Sequence, residues 1–179
     1  MPVELWQSTA GITKNWQFLG DLQPYMLNFL ENHDEQRFAS DFFGKDAHNT
    51  FAPLYVSLFM NTAPFMIYFG EEVGEAGMEE EGFSGCDGRT TIFDWWSIES
   101  IKRLRAVIAN GSYKLLDVER LVASGMEIDE AKLFVKFASA LKIASSDLAI
   151  TMGTTYDLCY CNYGSDGFDK DRHFAFLRD

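Results

Sequence analysis

Asn32, His33 and Asp34 stand together at the end of an apolar run, Met26-Leu-Asn-Phe-Leu-Glu31, and Arg37 follows three residues after the aspartate. An imidazole beside a carboxylate can move a proton or grip a polar ligand through two groups at once. The apolar run reads as a buried strand. In parallel α/β architectures the C-terminal ends of strands carry the sites, whereas the opposite ends mainly serve stability. Residues 26–37 therefore read as one wall of an active site. Taken alone they also fit a plain turn, with His33 satisfied by backbone and Asp34 capping it.

The elements that must position this cluster follow from periodicity. Residues 1–24 read as an entry segment and 25–32 as a strand covered on both faces. Phe51, Leu54, Tyr55, Leu58, Phe59 and Thr62 recur at helical spacing, which predicts a helix opened by Asn49 or Thr50 and halted before Pro64. Residues 64–69 predict a second buried strand ending at Gly70. Strand–helix–strand within one sheet implies parallel strands and a right-handed crossover.

A Gly- and Glu-rich stretch from Gly70 to Thr90 reads as a solvated loop, because its glutamates lack the alternate-position spacing of a calcium loop. Ser97 then begins a helix with Ile98, Ile101, Leu104 and Ile108 inward, Arg103 outward, and Gly111 as its stop. Residues 115–123 predict a short helix. Asp129 caps a longer one, with Leu133, Phe134, Phe137, Leu141 and Ala144 along its core stripe. After Gly153, Tyr156–Tyr163 and His173–Arg178 alternate and read as a β-hairpin, with Asp166, Asp169 and Asp171 in its turn.

Composition narrows the classes. Of 179 residues, 47% are hydrophobic and 15% aromatic, as in a globular domain. A net charge of -12 argues against nucleic acid or an anionic membrane as partner. No apolar run spans a bilayer, and the N-terminus lacks the pattern of a signal peptide, so the compartment stays unknown. Cys86, Cys159 and Cys161 form no disulfide framework. Cys159 and Cys161 are expected to alternate on a strand and share one face, with no metal role because no second ligand pair exists. Among Trp6, Trp16, Trp95 and Trp96, packing is the expected role for most, while Trp95 and Trp96 stay open as platforms on which an apolar ring face of a ligand could stack.

Three motifs in this order resemble the second half of the α-amylase family of glycoside hydrolases. Phe29-Leu-Glu-Asn-His-Asp-Glu-Gln-Arg37 resembles the seventh-strand motif. Pro64-Phe-Met-Ile-Tyr-Phe-Gly-Glu-Glu-Val-Gly74 resembles the eighth strand, although Ala63 stands where the family has Gly. Asp87-Gly-Arg-Thr-Thr-Ile-Phe-Asp-Trp95 resembles the Arg-and-Trp segment that follows. The resemblance implies an α/β chain: a partial (β/α)8 TIM barrel, its last strand–helix units, followed by the start of an antiparallel β C-terminal domain. The expected boundary puts barrel in 1–150 and β domain in 151–179.

By that resemblance Asp34 would be the transition-state stabiliser of a retaining glycosidase, gripping two adjacent sugar hydroxyls, and His33 would donate a further hydrogen bond. Asn32 and Arg37 are carried over as substrate-binding candidates, Arg37 more to hold nearby carboxylates than to touch sugar. The partner would be an α-glucan oligosaccharide. The family's nucleophile Asp and acid Glu precede the seventh strand, and no residue here occupies their setting, so the chain reads as a fragment that alone does not hydrolyse glycosides. Open barrel edges would pair with a second copy. No cofactor is expected in this chain, while calcium belongs to what the resemblance allows the parent enzyme. A same-family transglycosylase or isomerase, a non-catalytic relative and an unrelated α/β interaction domain stand as alternatives.

Overall fold

A computed structural model describes residues 9–80, 85–90, 92–93 and 97–179. Trp6, Asp94, Trp95 and Trp96, and with them part of the third motif, lie outside the described residues. The chain forms two compact units: residues 1–29, 52–66 and 141–179 make the first, and 30–51 with 67–140 the second.

In the first unit, β1 (Asn28–Phe29) and β2 (Phe65–Met66) pair in parallel, Asn28 opposite Phe65 and Phe29 opposite Met66. The expected parallel pair is therefore present, but each strand is far shorter than its apolar run. A 3-10 turn over Gly20–Tyr25 occupies the approach to β1, and Tyr25 is 83% exposed where burial on both faces was expected. With one neighbour each, the strands form a ladder only where both are extended. The Pro64 carbonyl, which accepts from the Asn28 N–H at 2.9 Å, begins it. The described part of the entry segment is helical, α1 spanning Thr9–Leu19.

The helix between the strands, α2, spans Phe51–Phe59 and buries Phe51, Leu54 and Leu58 as the spacing predicts. Its opening residue differs from expectation. A 3-10 turn over Ala47–Thr50 leads into it, and Asp46 starts that turn by accepting a hydrogen bond from the His48 N–H (2.8 Å).

α6 (Leu148–Met152) precedes β3 (Thr155–Asp157), which pairs antiparallel with β4 (Phe176–Arg178). The guanidinium of Arg178 donates to the carbonyls of Ala149 (3.1 Å) and Ile150 and to the Thr155 hydroxyl, tying β4 to α6. The first hairpin strand stops sooner than predicted, because the Asp157 carboxylate accepts from the Cys159 N–H (2.7 Å) and starts α7 (Cys159–Asn162). That overturns the shared cysteine face. Residues two apart on a helix point to opposite sides, so Cys159 is fully buried and Cys161 exposed.

The second unit packs Val73, Leu104, Val107, Leu121, Met126 and Ala131 into a core, with Val118, Phe134 and Val135 against it. α3 (Glu99–Asn110) carries Ile101, Leu104 and Val107 inward. Ile108, expected inside, is 52% exposed, since Val107 faces the core in the last turn. Gly111 ends α3 in the left-handed region (φ 77°), its N–H bonded to the Ile108 carbonyl at 3.1 Å. α4 covers Val118–Ala123, capped by Asp117. α5 (Ile128–Ser146) starts before Asp129, which sits in its first turn and pairs with Lys132 at 3.0 Å. The Glu130 side chain supplies the start instead, accepting from the Glu127 N–H at 3.0 Å. Among the described residues no helix is long and apolar enough to cross a membrane.

Candidate functional site

The Asn-His-Asp segment follows β1 as a turn that Asn32 shapes. Its side-chain oxygen accepts from the N–H groups of Asp34 (2.8 Å) and Glu35 (3.0 Å), a local arrangement that competes with continued strand. The turn puts His33 and Asp34 side by side, Nε2 3.4 Å from Oδ2, with side chains 51% and 73% exposed. A contact this exposed adds little stability. Both groups are open to a ligand. Asn32 spends its carbonyl oxygen on the turn.

Arg37 is placed differently. It is fully buried, and its guanidinium reaches Glu31 (2.7 Å), the Thr90 hydroxyl (2.8 Å) and the Phe69 carbonyl (2.5 Å). Its charge also lies over the rings of Tyr68 (4.5 Å) and Phe69 (5.1 Å). A side chain so enclosed makes no substrate contact here, which corrects its place among the substrate-binding candidates and agrees with the holding role. Glu31 came from the first motif, Phe69 from the second and Thr90 from the third. One cation joins all three.

Around it lies a group of buried carboxylates, of which Glu71 and Glu75 were expected in a solvated loop. Glu31 is 2% exposed, Glu71 3% and Glu75 8%. The solvated-loop expectation is thus corrected for the first part of the loop, while Glu79 and Glu80 are exposed as expected. Glu31 accepts from the Phe38 N–H (2.6 Å) as well as from Arg37. Glu75 accepts from the Ser100 hydroxyl (2.5 Å) and the Gly77 N–H (2.9 Å). Glu71 accepts from the Tyr68 N–H (3.1 Å), but its other oxygen has no partner among the described residues.

Burial pushes the Glu71 carboxyl up to about 9, with the nearby Glu31 adding to the rise. It is therefore a neutral acid at neutral pH. Burial also raises Glu31, against the pull of the Arg37 guanidinium, and raises Glu72. The neutral form of Glu71 adds no further charge beside a cation that already has its counter-ion in Glu31. Gly70 is required at this place. Its φ is 86°, and a Cβ there would lie 3.3 Å from the Arg37 Nη2 and 3.0 Å from the Glu75 Cβ.

A family model described as the α-amylase catalytic domain matches residues 3–132. The chain belongs to the α-amylase family. The match spans well over half of the 179 residues and includes all three motifs joined at Arg37. Membership in the family implies a TIM-barrel-like fold, of which β1, α2 and β2 form a parallel strand–helix–strand part. Comparisons with curated proteins and with solved structures found no match.

Among the described residues no three His, Cys, Asp or Glu side chains gather as metal ligands. Glu31, Glu71 and Glu75 accept hydrogen bonds from Arg37, Ser100 and backbone N–H groups. The sequence signal that could have revealed their burial is the uninterrupted glycine framework of the loop, Gly70, Gly74 and Gly77, all with positive φ. Such glycines suit close backbone packing better than an open acidic loop.

Proposed function

We propose that this chain supplies the stabilising wall of a retaining glycoside hydrolase site for α-linked glucans. The observation that carries the proposal is the exposed His33–Asp34 pair at the end of β1, held on a turn whose two flanks are joined by the buried Glu31–Arg37 ion pair. An ionised Asp34 can accept hydrogen bonds from two vicinal sugar hydroxyls at once. Those bonds strengthen as the sugar ring gains positive charge, which favours the distorted, oxocarbenium-like state. His33 donates one more bond to the same hydroxyls. Arg37 is a positioning residue.

Displacement with retention needs a nucleophile and an acid–base carboxylate flanking the bond. Neither has a counterpart in these 179 residues, so the chain by itself binds sugar without cleaving it. In this reading residues 1–150 are the later part of the barrel and 151–179 the start of the β domain, and barrel edges associate with a second copy. The antiparallel β3–β4 pair supports the second assignment.

The test is a maltotriose titration followed through the imidazole resonances of the three histidines. His33 is expected to shift, and the shift to vanish in Asp34→Asn. An unmoved His33 at saturating sugar overturns the binding role. Turnover of a chromogenic maltoside that disappears in Asp34→Asn overturns the inactive-chain reading.

A further inference from the structure

Glu71 belongs to the buried cluster beneath the turn that carries His33 and Asp34, yet it takes no part in the proposed sugar contacts. It opens a 3-10 turn over Glu71–Val73. One carboxyl oxygen accepts from the Tyr68 N–H at 3.1 Å, and the other has no partner among the described residues. We propose that Glu71 is a proton-operated latch on the His33–Asp34 turn: as an acid it keeps the Glu31–Arg37 pair closed, and on ionising it opens that pair and frees the turn.

The geometry sets the two states. Glu31 holds the base of the turn with both oxygens, one on the Arg37 guanidinium (2.7 Å) and one on the Phe38 N–H (2.6 Å). Arg37 is already committed to Glu31, to the Phe69 carbonyl and to the Thr90 hydroxyl. A neutral Glu71 leaves that arrangement alone. An ionised Glu71 is a second anion out of water, with an oxygen that no described donor meets, and such a charge costs far more than the acid. The cation that acts on it is Arg37, the one Glu31 uses. The guanidinium is then drawn from Glu31 while Glu31 is repelled, so both ties at the base of the turn loosen together.

The other charged groups around Glu71 do not relieve it. Glu72 on the same 3-10 turn and Glu31 across from it both oppose its ionisation. Glu75 lies against Gly70 and is a further acid. α3 packs on the same turn, but its Ser100 donates to Glu75 (2.5 Å), its Lys102 pairs with Glu99 (2.5 Å) and its Arg103 with Glu130 (2.6 Å), while Arg105 is exposed. Burial, with Glu31 adding to it, holds the Glu71 carboxyl up at about 9. The latch is therefore closed at neutral pH and opens as pH rises.

Carbon-13 and proton spectra of the 179-residue chain, taken from about pH 7 to about pH 10, test the latch through the Glu71 carboxyl and the carbon-bound protons of the His33 ring. The carboxyl is expected to step at about pH 9, with the His33 signals shifting at the same midpoint. In Glu71→Gln, which keeps the shape of the acid and cannot ionise, the His33 step is lost. A Glu71 carboxyl already ionised at neutral pH, a Glu71 step that leaves His33 unmoved, or a His33 step retained in Glu71→Gln overturns the inference. Loss of all native signals at the same midpoint also overturns it, because the turn then has no release of its own. Should the Gln variant not fold, the two midpoints in the unaltered chain decide by agreeing or differing. No sugar is present in these spectra, so the maltotriose result on His33 and Asp34 stands or falls separately.

Discussion

Arg37 and Glu31 form an ion pair at 2.7 Å with both side chains out of water, and the turn carrying Asn32, His33 and Asp34 lies between them. The pair closes that turn at its base. It acts as a non-covalent staple, and the exposed residues take their position from it.

Arg37→Met leaves Glu31 buried without its counter-ion and is expected to lower unfolding stability by about 3–5 kcal/mol. Adding Glu31→Leu to that variant should recover part of the loss, because the stranded carboxylate is then gone. Urea unfolding of the two single variants and the double variant measures the coupling. A double variant as unstable as the sum of the singles contradicts the pairing.

Glu71 gives stability a pH dependence of known sign. Its folded carboxyl titrates at about 9 against a usual value of 4.5, so the folded chain binds more protons between those limits. Its contribution is complete below the unfolded value and is lost as pH rises toward 9. Stability should fall across that window, by up to about 1.4 kcal/mol per pH unit from this group. Glu71→Gln, which keeps the shape without the charge, should flatten the profile on its alkaline side. Melting temperatures across the window decide it.

Asn32→Ala removes the acceptor for two N–H groups. At an exposed turn the cost in stability is about 1 kcal/mol. The larger expected effect is on His33 and Asp34, which lose their fixed relation, so the maltotriose shift of His33 should shrink well beyond what the melt reports. Asn32→Asp, which still accepts, should retain the turn and most of the shift.

The cysteines offer a test of local fold. Cys86 and Cys161 are exposed and Cys159 is buried, with burial raising the Cys159 thiol above its usual value. A thiol reagent should modify two cysteines quickly in the native chain and the third only as the protein opens. Equal rates for Cys159 and Cys161 would restore the strand that the sequence suggested.

Much of the scaffold was legible in local pattern. The spacing of Phe51, Leu54 and Leu58 marks α2, Gly111 marks the end of α3, and the apolar runs flanking α2 pair in parallel as their order requires. Lengths were not legible. A strand extends only as far as its neighbour allows, and β1 has an extended partner only at Phe65 and Met66. At the hairpin one side-chain cap, Asp157 to Cys159, turned expected strand into helix.

The sequence by itself determined that Asn32, His33 and Asp34 would meet at the end of a strand, because neighbours in the chain cannot separate and the apolar run before them stops there. Tertiary structure alone decided which residues support them. Arg37 finds Glu31, Phe69 and Thr90 at sequence separations of 6, 32 and 53. No local pattern encodes that meeting. Glutamates in a glycine-rich loop look solvated until a buried cation and backbone N–H groups give them partners, and only the folded chain brings those partners within hydrogen-bonding distance.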